Sequence, residues 1–205
     1  MQKGFDVRFD TTRNIPAIVA LERYAFIGRY LCENPLKRIH PAEAQALRQA
    51  NLAIALIYED SPKTSAYFTS ARGAQDAARA IQQAQNLGAG AGTAIYFTVD
   101  YDASANDVAE PISLYFHAVA SAVRNDVNGF VMGVYGSGMT CTALHANKLV
   151  DYTWLAQSTK WRGYDLKKQW SIIQGSSGEV CSLSVDTDTL NSETFGPVQF
   201  RESTA

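Results

Sequence analysis

Asp100-Tyr101-Asp102 places two carboxylates two residues apart at the end of an apolar run, "AIYFTVDYDAS" over 94–104. Side chains alternate across a strand. If the strand continues through this segment, Thr98, Asp100 and Asp102 share one face and Tyr101 takes the other. Carboxylates that converge repel, which raises the pKa of at least one of them. A carboxyl that keeps its proton near neutral pH is a general acid. Asp102 has a plainer alternative, because it opens "DASANDVAE" and suits a helix cap or an Asx turn.

Other apolar runs end in the same way. Asp6, Arg29 with Tyr30, Glu59, Tyr135, Gln157, Gln174, and Asp186 with Asp188 all fall at or near the end of a candidate strand. Scattered surface acids would not choose strand ends so consistently. Asp186 and Asp188 share a parity and therefore a face. Glu59 also suits a solvated loop with Asp60, Ser61 and Pro62. Trp154, Trp161 and Trp170 are of a kind more often found in the core or at a rim, but Trp154 and Trp170 sit on strands that feed the same end, where an aromatic ring can stack on a sugar.

The elements that must position these groups alternate along the chain. Candidate strands are "GFDVRF" (4–9), "YAFIGRYL" (24–31), "LAIALIYE" (52–59), "AIYFTVD" (94–100), "GFVMGVYG" (129–136), "YTWLAQ" (152–157), "QWSIIQG" (169–175) and "LSVDTD" (183–188). Several are continuous apolar runs, as parallel strands covered on both faces require. Between them, "PAEAQALRQAN" opens with proline and an early glutamate, and "ARGAQDAARAIQQAQNLG" stops at Gly88. "NDVAEPISLYFHAVASAVRNDVNG" and "MTCTALHANKLV" complete the helical stretches. The pattern predicts an α/β fold, a TIM-like (β/α) barrel that is shortened or irregular in its C-terminal third. A doubly wound sheet is the alternative, but no GxGxxG follows the first strand, and the glycines of "LGAGAGTAIYF" precede a strand.

Composition bounds the rest. The 205 residues suit a single domain over 1–205, with 46% hydrophobic and 19% charged residues. A net charge of −2 offers no footprint for nucleic acid, and no apolar run is long enough to span a membrane. Cys32, Cys141 and Cys181 form no CxxC, and His40, His117 and His145 lack metal-ligand spacing, so no cofactor and no metal is expected. Met1-Gln2-Lys3 leads straight into the first strand without a visible signal peptide. The expectation is synthesis in the cytoplasm, with any export by a signal-independent route.

Taken in order, "GFDVRFD", "FIGRYL", "IALIYED", "GAQDAARAIQQAQNLGAGAGTAIYFTVDYD", "GFVMGVYGS", "TWLAQS", "QWSIIQG" and "VDTDTL" resemble the glycoside-hydrolase-like domain typified by a mycobacterial protein exported by the twin-arginine pathway. That group, long catalogued as a domain of unknown function, is similar to the GH25 lysozymes. The resemblance implies a modified TIM barrel and hydrolysis of the β-1,4 bond between N-acetylmuramic acid and N-acetylglucosamine. Asp6 matches the aspartate of the first-strand motif and Asp100 the first member of a D-x-E pair. Asp102 stands where GH25 has the acidic glutamate, and Asp186 matches a further aspartate. Asp6, Asp100, Asp102 and Asp186 are thus the expected catalytic group. Tyr30, Glu59, Tyr135, Trp154, Gln157, Trp170, Gln174 and Asp188 are the expected substrate contacts. Peptidoglycan or a related glycan is the implied partner. An immunity or secretion-machinery protein would join it if the domain is an antibacterial effector, and a glycan-binding domain that has lost catalysis is the alternative function.

Overall fold

In a computed structural model, which describes residues 1–202, eight strands close into one barrel in sequence order. They are β1 Lys3–Asp6, β2 Tyr24–Leu31, β3 Ala53–Tyr58, β4 Ala94–Thr98, β5 Val131–Gly136, β6 Tyr152–Leu155, β7 Ile172–Val180 and β8 Leu183–Leu190. The first seven run parallel. β8 runs antiparallel to both of its neighbours, β7 and β1. Every run read as a strand in the sequence is present, but β1, β3, β4 and β6 stop sooner than predicted, at Asp6, Tyr58, Thr98 and Leu155. The irregular C-terminal third is real. No helix separates β6 from β7, and β7 and β8 form a long hairpin.

Alternation along the strands builds two cores. Outward residues such as Ile54, Leu56, Tyr58, Ile95 and Phe97 pack in the layer under the helices. Inward residues such as Phe26, Ala55, Ile57, Tyr96, Trp154 and Ile172 fill the barrel itself. Large aromatics fit there because facing positions are glycine. A Cβ on Gly28 would lie 2.7 Å from the Asp6 Cβ and 2.8 Å from the Trp154 ring. The segment after β8 closes the bottom: Phe195 packs on Phe26, and its carbonyl accepts the Tyr96 hydroxyl at 2.7 Å.

The helices, α1 Ile15–Ala20, α2 Pro41–Gln49, α3 Ser70–Asn86, α4 Ala105–Asp107, α5 Ser113–Arg124 and α6 Gly138–Ala146, cover the outside. α3 shows why its sequence forms a helix. The Thr69 hydroxyl caps the Arg72 N–H, and Gly73, Ala77, Ala80 and Ala84 recur at helical spacing to give a small-residue face that is buried. Asp76 on that face is buried, yet it accepts from the hydroxyls of Tyr58, Tyr67 and Tyr115 and from Arg72. α4 and α5 are joined through a π turn, Val108–Ile112, which contains Pro111; proline has no N–H for the regular ladder. Arg29 points outward. It pairs with Glu43 on α2 at 2.7 and 3.0 Å, both side chains fully buried, so it ties β2 to α2 instead of serving the strand ends.

Candidate active site

At the C-terminal end of the parallel strands the barrel opens into a cavity of about 140 Å³, lined by Asp6, Tyr30, Ile57, Glu59, Thr98, Asp100, Tyr135, Gln174 and Asp186. Strand parity makes this lining. Tyr30, Ile57, Thr98 and Tyr135 point inward at the tops of β2, β3, β4 and β5, and Glu59 and Asp100 continue two residues past Ile57 and Thr98. Ile57 carried a signal that could have found it, because it shares the parity of Glu59. A wider, open depression of about 1040 Å³ lies at the opposite end, against Met1, Tyr152 and Leu190. It gathers no comparable set of carboxylates.

Asp6 is the best-held acid of the cavity. The Tyr30 hydroxyl donates to Oδ1 at 2.6 Å and the Gln174 amide to Oδ2 at 2.8 Å. Gln174 is itself fixed, since its Oε1 accepts the Tyr135 hydroxyl at 2.8 Å and the Gln157 backbone N–H at 3.3 Å. Burial pushes the Asp6 carboxyl up to about 6 against the pull of those two donors, and Asp186 and Glu59 add like-charge repulsion. The Tyr30 and Tyr135 hydroxyls are held well above their ordinary range by burial and the surrounding acids, so both remain donors.

Asp100 differs in kind. It lies beyond the end of β4, partly buried, with its backbone N–H on the Pro62 carbonyl at 3.0 Å. Among the described residues no side chain or backbone group hydrogen-bonds its carboxyl. Burial and the nearby Glu59 raise its pKa, while Lys63 and Lys37 oppose the rise. Glu59 is paired with Lys37 at 2.8 Å, and Lys37 also sits 3.8 Å over the Tyr30 ring. Asp186 accepts the Ser177 hydroxyl across the β7–β8 hairpin.

The remaining expected site residues stand elsewhere. Because β4 ends at Thr98, the alternation that would have aimed Asp102 into the mouth is lost. Asp102 instead accepts the Arg162 backbone N–H at 2.8 Å and its guanidinium at 2.7 Å. Trp170 packs in the outer core with its indole N–H on the Asp165 carbonyl at 2.7 Å, and it does not line the cavity. Trp154 is fully buried inside the barrel and donates to Asp188 at 3.0 Å. Asp188 lies one layer below Asp186, because β8 runs downward from the mouth; it pairs in register with Gly4, and Asp186 with Asp6. Its other oxygen has no partner among the described residues, and burial with Asp6 close by holds its carboxyl well above the usual range. Neither Trp154 nor Asp188 lines the cavity. The Gln157 backbone braces Gln174, and its side chain is not part of the lining.

Asp10, His40 and Glu43 gather donor atoms near one another, but these are already engaged. His40 Nε2 is 2.6 Å from Asp10 Oδ2, and the Glu43 carboxylate holds Arg29 and Thr11. Cys32, Cys141 and Cys181 are free thiols.

A closed barrel with several acids and tyrosines at its mouth is an architecture of glycoside hydrolases. The chain belongs to the Rv2525c-like, glycoside hydrolase-like domain family, whose model matches residues 18–190. It is 29% identical over 220 residues to the uncharacterized protein YbfG of Bacillus subtilis (strain 168), an alignment covering 91% of this chain and 30% of YbfG. The chain therefore spans less than a third of the length of that relative. Among solved structures, the Tat-secreted protein Rv2525c of Mycobacterium tuberculosis superposes with a TM-score of 0.80 at 19% identity, covering 96% of this chain and 98% of that one. The catalytic domain of the endolysin ply40, from Listeria monocytogenes bacteriophage P40, gives 0.64 at 15% identity and 94% of each chain. Two muramidases also share the fold. No helix among the described residues is long and apolar enough to cross a membrane.

Proposed function

We propose that this domain, spanning 1–205, is a peptidoglycan-directed glycoside hydrolase that cleaves the β-1,4 bond between N-acetylmuramic acid and N-acetylglucosamine, with Asp100 as the acid. The observation that carries this reading is the Asp100 carboxyl. It faces the cavity, is raised by burial and Glu59, and has no hydrogen-bond partner among the described residues. Burial and like charge bias such a carboxyl towards its protonated form, and no partner ties up the proton it would give. The proton passes to the glycosidic oxygen, the C–O bonding electrons follow onto that oxygen, and water supplies the new hydroxyl and the proton that restores Asp100.

Asp6 answers the positive charge that develops on the sugar. Held by Tyr30 and Gln174 and ionised above pH about 6, it stabilises that charge directly or orients the 2-acetamido group. Glu59, Asp186 and Tyr135 then contact hydroxyls or the acetamide. The family and the muramidase and endolysin neighbours support this substrate class. The reading places the domain outside the cytoplasm, by whichever route, and an effector role would add an immunity or secretion-machinery partner.

A second reading, a glycan-binding domain without turnover, is favoured by one observation. The position where the resemblance expects the acid, Asp102, is tied to Arg162 outside the cavity. Incubation of purified wild type, Asp100→Asn and Asp102→Asn with peptidoglycan sacculi, followed by mass spectrometry of the soluble fraction, separates the two. New reducing-end muropeptides from wild type and Asp102→Asn but not Asp100→Asn support the hydrolase. Sacculus binding without products supports the second reading, and absence of both sinks each.

A further inference from the structure

The cavity at the barrel mouth does not end at its rim. Past Tyr30 and Glu59, which line both spaces, it continues into a flank of about 330 Å³ between the loops that follow β1, β2 and β3. That volume lies within the roughly 300–1,000 Å³ of small-molecule sites. The inner cavity, at about 140 Å³, falls well below it. A glycan whose reacting bond sits at Asp100 outgrows the inner cavity, and the flank is the space that adjoins it across Tyr30 and Glu59.

The charges of the flank do not balance. Its two acids are already engaged. Glu59 pairs with Lys37 at 2.8 Å. Asp60 accepts the Tyr58 hydroxyl and the Glu33 backbone N–H at 2.9 Å each, and Arg79 at 3.3 Å. Arg8 and Lys63, which line the same space, have no carboxylate within 4.0 Å among the described residues. Arg8 lies 5.5 Å from the Phe9 ring, and Lys63 lies near enough to Asp100 to lower it. Two cations without a salt-bridge partner among the described residues thus border a space that adjoins the proposed point of cleavage, on a chain whose net charge is −2.

We propose that this flank is an anion subsite in which Arg8 and Lys63 take a carboxylate carried by the saccharide beside the cleaved bond. In peptidoglycan that carboxylate is either the lactyl acid of N-acetylmuramic acid or an acid of its peptide stem. The proposal rests on the glycosidase reading of the neighbouring cavity and adds what that reading lacks, a reason for this site to prefer a charged glycan over a neutral one such as a chitin fragment. A guanidinium offers a planar fork to the carboxylate and an ammonium a point charge, so the two recognise it in complementary ways.

The test uses the disaccharide N-acetylglucosaminyl-β-1,4-N-acetylmuramic acid, which lacks the bond to be cleaved. It is compared with its lactyl methyl ester and with the same disaccharide carrying an L-alanyl-D-isoglutamine stem. Binding to the whole chain is followed by NMR titration at low and high salt. The free acid or the stem form should bind about tenfold more tightly than the ester at low salt. That preference should vanish in Arg8→Ala/Lys63→Ala and shrink at about 1 M salt, where the screening length is about 3 Å. Whichever acid shows the preference identifies the carboxylate. Equal binding of acid, stem form and ester overturns the subsite and leaves the glycosidase reading intact. No binding of any of the three overturns that reading, and the subsite with it. Both side chains are exposed, so the double variant should unfold at the wild-type temperature; a lower temperature calls for the charge-keeping Arg8→Lys/Lys63→Arg variant, which must retain the preference if the proposal holds.

Discussion

Asp102 accepts both the backbone N–H and the guanidinium of Arg162, a residue 60 positions further along the chain, and so turns away from the cavity that Asp100 lines. Asp102 and Arg162 thereby clip the loop after β4 to the loop after β6. Two acids that look equivalent in sequence are divided by this contact into a free carboxyl at the mouth and a loop tie.

Asp102→Asn should therefore leave turnover of sacculi within a few-fold of wild type. The pair is partly exposed, so its loss should cost less than about 1 kcal/mol in denaturant unfolding. A drop in turnover of a hundredfold or more, with folding intact, would return Asp102 to the chemistry.

Acidity should act on this domain through Asp6. Its folded-state pKa, about 6, is raised from 3.8, so the folded protein holds that proton more tightly than the unfolded chain does. The ionised form costs the fold roughly 3 kcal/mol above pH about 6, and that cost disappears as pH falls towards 4. Wild type should therefore gain stability relative to Asp6→Asn across this window on acidification. Turnover should move the other way and fall below pH about 6 as Asp6 loses its charge. A stability difference between the two proteins that stays flat from pH 7 to pH 4 would contradict both statements.

Asp188 predicts an asymmetry between two substitutions. Asp188→Asn keeps an acceptor for the Trp154 indole N–H and removes a carboxyl whose charge burial and Asp6 disfavour, so its stability at pH 7 should lie within about 1 kcal/mol of wild type. Asp188→Ala leaves that N–H buried and unpaired, and should cost about 1–3 kcal/mol or more. Equal losses in thermal unfolding would remove the special role of the hydrogen bond.

Gly28 is where fold and site meet. Its φ is ordinary, and space alone demands glycine: a methyl there would press on Asp6 and Trp154 at 2.7 and 2.8 Å. Gly28→Ala should lose about 1–3 kcal/mol and lower turnover by displacing Asp6, which separate unfolding and sacculus assays would register. Wild-type behaviour in both would mean the barrel interior yields more easily than its packing implies.

Much of this molecule is determined by the sequence alone. The eight strands, their order and the inward parity of Tyr30, Glu59, Asp100 and Tyr135 follow from apolar runs and from the two-residue alternation of a strand, which are local properties. Asp6 was legible as an acid of the first strand, although that strand reads to residue 9 in the sequence and ends at Asp6 only in the structure. The direction of β8 was not legible, because the alternating pattern of 183–188 reads the same in either direction; hairpin pairing with β7 and closure onto β1 decide it, and they sink Asp188 beneath the mouth. Nor could sequence separate Asp100 from Asp102, or send Trp170 to the outer core. Those outcomes depend on partners distant in the chain or on loop paths, Arg162 for Asp102 and the Asp165 carbonyl for Trp170. Local pattern set which residues could reach the barrel mouth. Long-range contacts, which no local period encodes, decided which of them do.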